Sequence, residues 1–432
     1  MIQKNYHFIG IKGSGMSSLA TLLHDLGHRV QGSDIEDFLF TQVGLEERGI
    51  SLYPFNQAPI NQEMTVVIGN AFKTHPEIEQ AKQVGATCLS YHECLGELIK
   101  PFTSVAISGT HGKTTTTGLL ARVFSQQEPV SYLIGDGTGK GNPESRHFVF
   151  EACEYHRHFL SYQPDYALIT NIEFDHPDYF KDIEDVLDAF ETFGKQTHRH
   201  VIACGDDENV QRLNGLEHLI TYGLNSTNDV QAINILKSEN GTTFDVIMNG
   251  EFYHTFNTPF FGDHMILNSL GVITVAYLEG LEAQTIELGL QQFEGVKRRF
   301  SETKLNSQLL IDDYAHHPTE IHATLSAVRQ KYPNRPCVAI FQPHTFTRTQ
   351  TFLQEFADSL SSADHIYLTD IFGSAREENG KTHISDLIDR CHQAHHLTLN
   401  NISQLQTYQD AVLVFMGAGD IKKYEEAYIQ SL

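Results

Sequence analysis

Short apolar runs rich in Val, Ile, Phe and Tyr alternate with helix-period segments along almost all of this 432-residue chain. HFIGI (7–11), VVIG (66–69), VAIS (105–108), FVFEA (148–152), YALITNI (166–172), VIACG (201–205), LLIDDYA (309–315), CVAIFQP (337–343), HIYLTDI (365–371) and AVLVFMG (411–417) read as buried strands. Strands separated by about 10–15 helical residues form βαβ units, whose parallel sheets are covered on both faces. The expected fold class is therefore α/β. One stretch departs from this rhythm: GTTFDVIMNGEFYHTFNTP (241–259) sets Asn249-Gly250 between two alternating segments. That is the pattern of a β-hairpin, inserted in or appended to a middle domain.

The chain is too long for one core, and the length suggests about three domains. Pro101, in IKPFTS (99–104), follows a helical stretch and precedes a strand, and the basic cluster in FEGVKRRF (293–300) interrupts an acidic chain. The expected division is 1–101, 102–296 and 297–432, with Rossmann-like first and third domains and a mostly parallel sheet in the second. Neither an internal repeat nor a low-complexity segment shows.

The formal net charge of −24 leaves no basic excess for a nucleic-acid backbone, although local Lys and Arg can still hold a small anion. Cys88, Cys94, Cys153, Cys204, Cys337 and Cys391 are scattered without C-x-x-C spacing, which suits a reducing compartment and neither a disulfide framework nor a zinc site. MIQKNYHFIGIKGSG breaks its apolar run with Lys and Gly, so neither a signal peptide nor an anchor is expected of it, and no later run is long enough to span a bilayer. A cytoplasmic protein without nucleic-acid or membrane partners is expected; monomer and homodimer both remain open.

Two glycine-rich corners carry candidate chemistry. In GIKGSGMSSLA (10–20), between a strand and a helix, Gly13 and Gly15 fit a dinucleotide fingerprint, but Ser18 stands in the third glycine place. Such a turn offers backbone N–H groups and a helix N-terminus to a diphosphate. A plain Rossmann turn and a nicotinamide site stay open for it. In SGTHGKTTTT (108–117), Gly109-Thr110-His111-Gly112-Lys113-Thr114 joins a strand to a helix. Lys113 would bridge the β- and γ-phosphates of a nucleotide and the Thr114 hydroxyl would ligate Mg²⁺. The glycine that usually lies five residues ahead of Gly-Lys is replaced by Ile107, so this loop is shorter than the common one.

Glu151 and Glu154 follow one predicted strand, and Asn171, Glu173, Asp175 and His176 follow the next. The carboxyl ends of parallel strands are where such groups converge on a ligand. Further on, Arg298, Arg299, Asp312, Asp313, His316, His317, His344 and Arg348 lie just past strands or at their starts. They suit charge stabilisation of a phosphoryl group or carboxylate; metal binding by the His316-His317 pair is the rival.

GTHGKTTTT, Glu151 and NIEFDHPDYF together resemble the ATP-dependent Mur ligases of peptidoglycan synthesis, whose ATP loop reads Gly-Thr-x-Gly-Lys-Thr. The likeness runs through all three expected domains in order. Within the family, GIKGSGMSSLA, DDYAHHPTEI and FQPHTFTRT resemble the branch that joins L-alanine to UDP-N-acetylmuramate. The resemblance implies ATP and Mg²⁺, an acyl phosphate on the substrate carboxylate, and amide formation on attack by the amino group. It implies an ATP site of Gly109, Thr110, His111, Gly112, Lys113, Thr114 and Thr115, with His264 and Asn268 at the adenine and Asp312 at the ribose. Arg298 or Arg299 would steady the γ-phosphate, and Thr114, Glu151 and His176 would hold the metal. His344 and Arg348 would sit by the amino acid. Gly13, Ser14, Gly15, Met16, Asp34, Asn70 and Ala71 would take the UDP-sugar.

Lys12 and Ser18 stand where many relatives have glycine, Met265 where asparagine is usual and Thr345 where many have arginine. The rivals are a ligase that adds a preformed peptide to the same sugar and, from another class, a Rossmann oxidoreductase with a nucleotide-regulated domain. Tyr314 in DDYAHHP favours alanine over peptide; Lys113, Thr114, Glu151 and His176 have no role in the oxidoreductase.

Overall fold

A computed structural model gives the fold of residues 2–373, 377 and 380–432. The chain forms two compact units, one of Met1–Glu173, Ile183–Gln231 and Ser269–Phe293, the other of Phe174–Asp182, Ala232–Asn268 and Glu294–Leu432.

The first unit opens with a parallel sheet of β1 (Asn5–Ile9), β2 (Arg29–Asp34), β3 (Ser51–Pro54), β4 (Met64–Ile68) and β5 (Thr87–Ser90), in the order β3-β2-β1-β4-β5. The order reverses beside β1, so the loop after β1 opens at a topological switch point, where open α/β sheets bind ligands. Phe8 and Ile9 of β1 are fully buried, which fixes the frame from which that loop departs.

The next strands are β6 (Thr103–Ser108), β7 (Val130–Leu133), β8 (Gly139–Lys140), β9 (His147–Glu151), β10 (Tyr166–Ile169), β11 (His200–Cys204) and β12 (Leu219–Gly223). They lie in the order β12-β11-β10-β6-β9-β7-β8, all parallel except β8, which runs antiparallel to β7. β13 (Val230–Ser238) enters by pairing Val230 and Gln231 with β12. β6 is central, its Val105, Ala106 and Ile107 fully buried. Ile107 pairs with Glu151 of β9 and Ser108 with Ile169 of β10. The phosphate-type loop therefore emerges between the carboxyl ends of two neighbouring strands.

The second unit contains β14 (Gly241–Met248) and β15 (Glu251–Thr258), the expected hairpin. Asn249 and Gly250 both have positive φ, 51° and 82°, as the mirror-image turn between twisted strands requires. Its other sheet comprises β16 (Ser301–Leu305), β17 (Gln308–Asp313), β18 (Cys337–Phe341), β19 (His365–Leu368), β20 (Ala394–His396) and β21 (Val412–Met416), in the order β16-β17-β21-β18-β19-β20. Only β16 is antiparallel, at the edge. Alternate residues of β17, β18 and β21 feed two cores, one on each face, so these strands read as continuous apolar runs.

Candidate active site

In the first unit the loop after β6 turns through Gly109 (φ 131°) and Gly112 (φ 82°), conformations that strain any residue with a Cβ. Gly112 caps the helix Lys113–Phe124. The carboxyl end of β10 holds the loop: the Thr110 N–H donates to the Asn171 carbonyl (3.0 Å) and the His111 N–H to Asn171 Oδ1 (2.8 Å). The Glu173 N–H donates to Thr110 Oγ1 (2.8 Å). Asn171 and Glu173 thus act as supports of the loop.

The four threonines occupy the start of the helix, where hydroxyls can serve free backbone groups. The Thr114 hydroxyl donates to Glu151 Oε2 (2.8 Å) and the Thr117 hydroxyl to the Lys113 carbonyl (2.8 Å); Thr115 is half-buried. Lys113 folds back over the loop, donating to the carbonyls of Gly109 (2.5 Å) and Thr110 (3.0 Å), and lies 3.1 Å from Glu154. Burial opposes its charge, but Glu154, Cys153 and Glu151 outweigh burial and hold its pKa above the usual lysine value. A fixed ammonium and a hydroxyl on the helix start, with the carboxylate of Glu151 brought to the hydroxyl from the end of β9, fit a phosphate chain and its divalent cation.

Two contacts escaped the sequence reading, although Glu154 itself was named there among the strand-end acids. Glu154 is the partner of Lys113, and the Gly135 N–H donates to Glu151 Oε2 (3.1 Å), holding the carboxylate beside Thr114. The signal was present in YLIGDGTGK (132–140), an apolar run that breaks into glycines at a strand end.

The corner after β1 has the same strand–turn–helix form. Gly13, Ser14 and Gly15 are exposed, Met16 is buried, and the helix Ser14–Asp25 starts without a side-chain cap. Asn70 and Ala71 lie exposed in the turn after β4. Asp34 ends β2, its Oδ2 accepting the Lys12 N–H (2.6 Å) and its Oδ1 the Ile35 N–H (2.8 Å). Lys12 is itself buried, and its ammonium donates to the Ile35 (2.8 Å) and Asp37 (2.9 Å) carbonyls. The Ser18 hydroxyl bonds to Gly137 O (2.7 Å) in the loop between β7 and β8. Ser18 in the third glycine place therefore fastens the first helix to the neighbouring sheet.

In the second unit, Arg298 and Arg299 both lie over the Tyr314 ring, each 5.1 Å from its centre. Arg298 reaches the Gly417 carbonyl (2.7 Å) and faces Asp312 Oδ2 at 3.5 Å. Asp312 Oδ1 is buried with no hydrogen-bond partner among the described residues, which leaves this oxygen able to accept from a further donor. Burial raises the Asp312 pKa, against the pull of Arg298. His264, near the start of the helix Asp263–Leu278, is pushed down to about 4 by burial, so its imidazole is neutral near pH 7. Asn268 is buried on that helix, its amide 3.9 Å from the Met265 sulfur.

His176 follows Asp175, whose carboxylate receives two N–H groups of the buried Arg348, at 2.8 and 3.3 Å. Burial opposes ionisation of Asp175, but Arg348 outweighs it and holds the carboxyl far below the usual range. Arg348, expected beside the amino acid, is thus already engaged by a carboxylate. His344 stacks on Phe372 (5.7 Å). His316 lies 3.0 Å from Glu320, and His317 begins the helix Pro318–Lys331 in a capping box with that same glutamate. The pair organises this helix start.

Sequence profiles of the family match in three consecutive blocks: "Mur ligase family, catalytic domain" over residues 5–103, "Mur ligase middle domain" over 107–276, and "Mur ligase, glutamate ligase domain" over 298–420. The chain belongs to the Mur ligase family. As such it is an ATP-dependent ligase of peptidoglycan precursor synthesis, and the oxidoreductase reading of the first glycine corner falls. The UDP-N-acetylmuramate-alanine ligase MurC of Thermotoga maritima is similar at 26% identity over 99% of this chain and 98% of its own, with a TM-score of 0.78. A murein peptide ligase of Psychrobacter arcticus has the same identity and coverage and a TM-score of 0.67. The MurF ligase of Thermotoga maritima, solved in complex with ADP, shares the fold at 16% identity over 86% of this chain and 95% of its own, with a TM-score of 0.67. Among the described residues, no helix of this Mur ligase is long and apolar enough to cross a membrane.

Proposed function

We propose that this Mur ligase joins L-alanine to the lactyl carboxylate of UDP-N-acetylmuramate, through an acyl phosphate, releasing ADP and phosphate. The observation that carries the ligase chemistry is the corner in which Lys113 and Thr114, on the helix start, meet Glu151 at the end of β9, with Thr114 and Glu151 2.8 Å apart. The alanine assignment is supported by the full-length likeness to the alanine-adding ligase and by the DDYAHHP run with Tyr314.

In this reading Gly109 to Thr115 wrap the phosphates of ATP and Lys113 neutralises them, leaving Gly109 and Thr110 for that work. Thr114, Glu151 and His176 would hold Mg²⁺, which would supply charge neutralisation on the transferring phosphoryl group. His264 and Asn268 meet the adenine, and the unpartnered Asp312 oxygen accepts from a ribose hydroxyl. Arg298 and Arg299 attend the γ-phosphate. His344 and Arg348 attend the amino acid, with Arg348 exchanging Asp175 for the substrate carboxylate. The UDP-sugar lies on Gly13, Ser14, Gly15, Met16, Asp34, Asn70 and Ala71. The domains are those read from the chain: 1–101, 102–296 and 297–432. Positioning and charge carry the reaction, with no side-chain nucleophile.

The test is phosphate release from ATP, Mg²⁺ and UDP-N-acetylmuramate on addition of single amino acids or a preformed peptide. Release with L-alanine is expected. Release with peptide alone would favour the second reading, suggested by the likeness to the murein peptide ligase. Release with neither would sink both.

A further inference from the structure

Gln330, in the last turn of the helix Pro318–Lys331, gathers three separate chain segments with one amide. Its Oε1 accepts the N–H of Gly262 (2.8 Å). Its Nε2 lies within donating distance of the Thr242 hydroxyl oxygen (3.0 Å) and the carbonyls of Ser238 and Gly241 (both 3.3 Å). The Thr242 hydroxyl in turn donates to the Phe260 carbonyl (2.8 Å). Residues 259–262 have no helix or strand of their own, so the place at which the helix of His264 and Asn268 begins depends on these bonds.

The next residue repeats the pattern with different chemistry. The Lys331 ammonium lies over the rings of Phe261 (5.0 Å) and Phe300 (5.8 Å) and donates to Glu302 (2.7 Å). Phe300 directly follows Arg299, and its N–H is held by Asp313 (2.9 Å). One helical turn therefore touches both the segment ahead of His264 and the turn that carries Arg298 and Arg299.

We propose that Gln330 is a positioning residue for ATP: with Lys331 it sets the base-binding segment Gly262–Asn268 in register with the Arg298–Arg299 turn. This rests on the reading that His264 and Asn268 meet adenine. A ligand whose binding groups are already fixed pays less ordering entropy on association, so loosening this tie weakens ATP binding and blurs recognition of the base.

The test compares Gln330→Met, close in length and helix-compatible, with His264→Ala. Steady-state parameters are measured for ATP, GTP, UDP-N-acetylmuramate and the amino acid. Gln330→Met is expected to raise KM for ATP about tenfold and narrow the preference for ATP over GTP. It should leave kcat within about twofold and KM for the UDP-sugar unchanged. A fall in kcat with KM and base preference unchanged would mark a structural role only and overturn the proposal. If His264→Ala weakens ATP while Gln330→Met does not, the proposal fails alone; if His264→Ala leaves ATP untouched, the base-binding reading fails first. Should Gln330→Met not fold, Thr242→Val removes one partner of the same amide. A smaller shift of KM in the same direction supports the proposal, and no shift overturns it.

Discussion

The corners after β1 and β6 are built alike, and chemically they are opposites. Both are glycine-rich turns between a buried parallel strand and a helix, and both contain a lysine. At the first corner, Lys12 turns inward and holds the carbonyls of Ile35 and Asp37. At the second, Lys113 bonds instead to carbonyls of its own loop, those of Gly109 and Thr110, and is paired with Glu154. Glycine spacing sets the backbone shape; the partners brought by neighbouring strands decide whether the cation is structural or available to a ligand. At the first corner that partner is the loop leaving β2, and at the second it is the carboxyl end of β9.

Removing the available cation should separate the corners most. Lys113→Ala is expected to lower kcat by on the order of 10²–10³-fold, the size found when one preorganised group for transition-state charge is lost. Calorimetric binding of UDP-N-acetylmuramate should stay nearly unchanged; an equal loss of sugar affinity would mean that the corners do not divide the substrates as proposed. Next in size, Glu151→Ala removes the partner of Thr114. The Mg²⁺ concentration for half-maximal rate should rise about 10- to 100-fold, as when a group orienting a metal site is lost. An unchanged Mg²⁺ dependence would remove Glu151 from the metal site.

The structural cation predicts a different phenotype. Lys12→Met deletes two charge-assisted hydrogen bonds in a buried setting, and bonds to charged groups contribute about 1.5–3 kcal/mol each, discounted here because the side chain can relax. Urea unfolding should show a loss of about 2 kcal/mol, by the same reasoning. KM for the UDP-sugar should rise while KM for ATP holds. A rise in both would show that the two loops are coupled.

Much of this division was legible in the chain. The ten apolar runs all became strands, because burial on both faces leaves no polar alternation to confuse the reading. YALITNI stops early, at Ile169, so that Thr170 and Asn171 can hold the phosphate loop. Strands such as SLYP and TCLS went unseen because they are four residues long and half-exposed at the two edges of the first sheet. Thr114 and Glu151 were legible because a motif and a strand end fix them. The Glu154, Gly135 and Gln330 contacts were not, since each depends on which distant segments the sheets bring together. The inward turn of Lys12 was hidden for the same reason.

β9 sharpens the contrast within a single strand, since its far end carries a charged cluster with no proposed part in catalysis. There, His147 has Glu128 at one ring nitrogen and Glu279 at the other (2.9 Å). Glu279 also accepts from Arg146 (2.8 Å), Tyr166 (2.7 Å) and Arg199 (3.0 Å). Burial alone would raise the Glu279 carboxyl, but hydrogen bonds from His147 and Tyr166, with the charges of His147 and Arg146, bring it down to about 2. A carboxyl depressed in the folded state contributes stability above its unfolded pKa and loses that contribution as pH falls through the folded value. Glu279→Gln should therefore be less stable than the natural chain at pH 7, and the gap should close as pH falls from about 4.5 toward 2. Urea midpoints across that range measure it. Catalysis at pH 7 should change by less than about twofold, the smallest effect on turnover of the set; a larger fall in kcat would mean that this end of the strand reaches the Glu151 end.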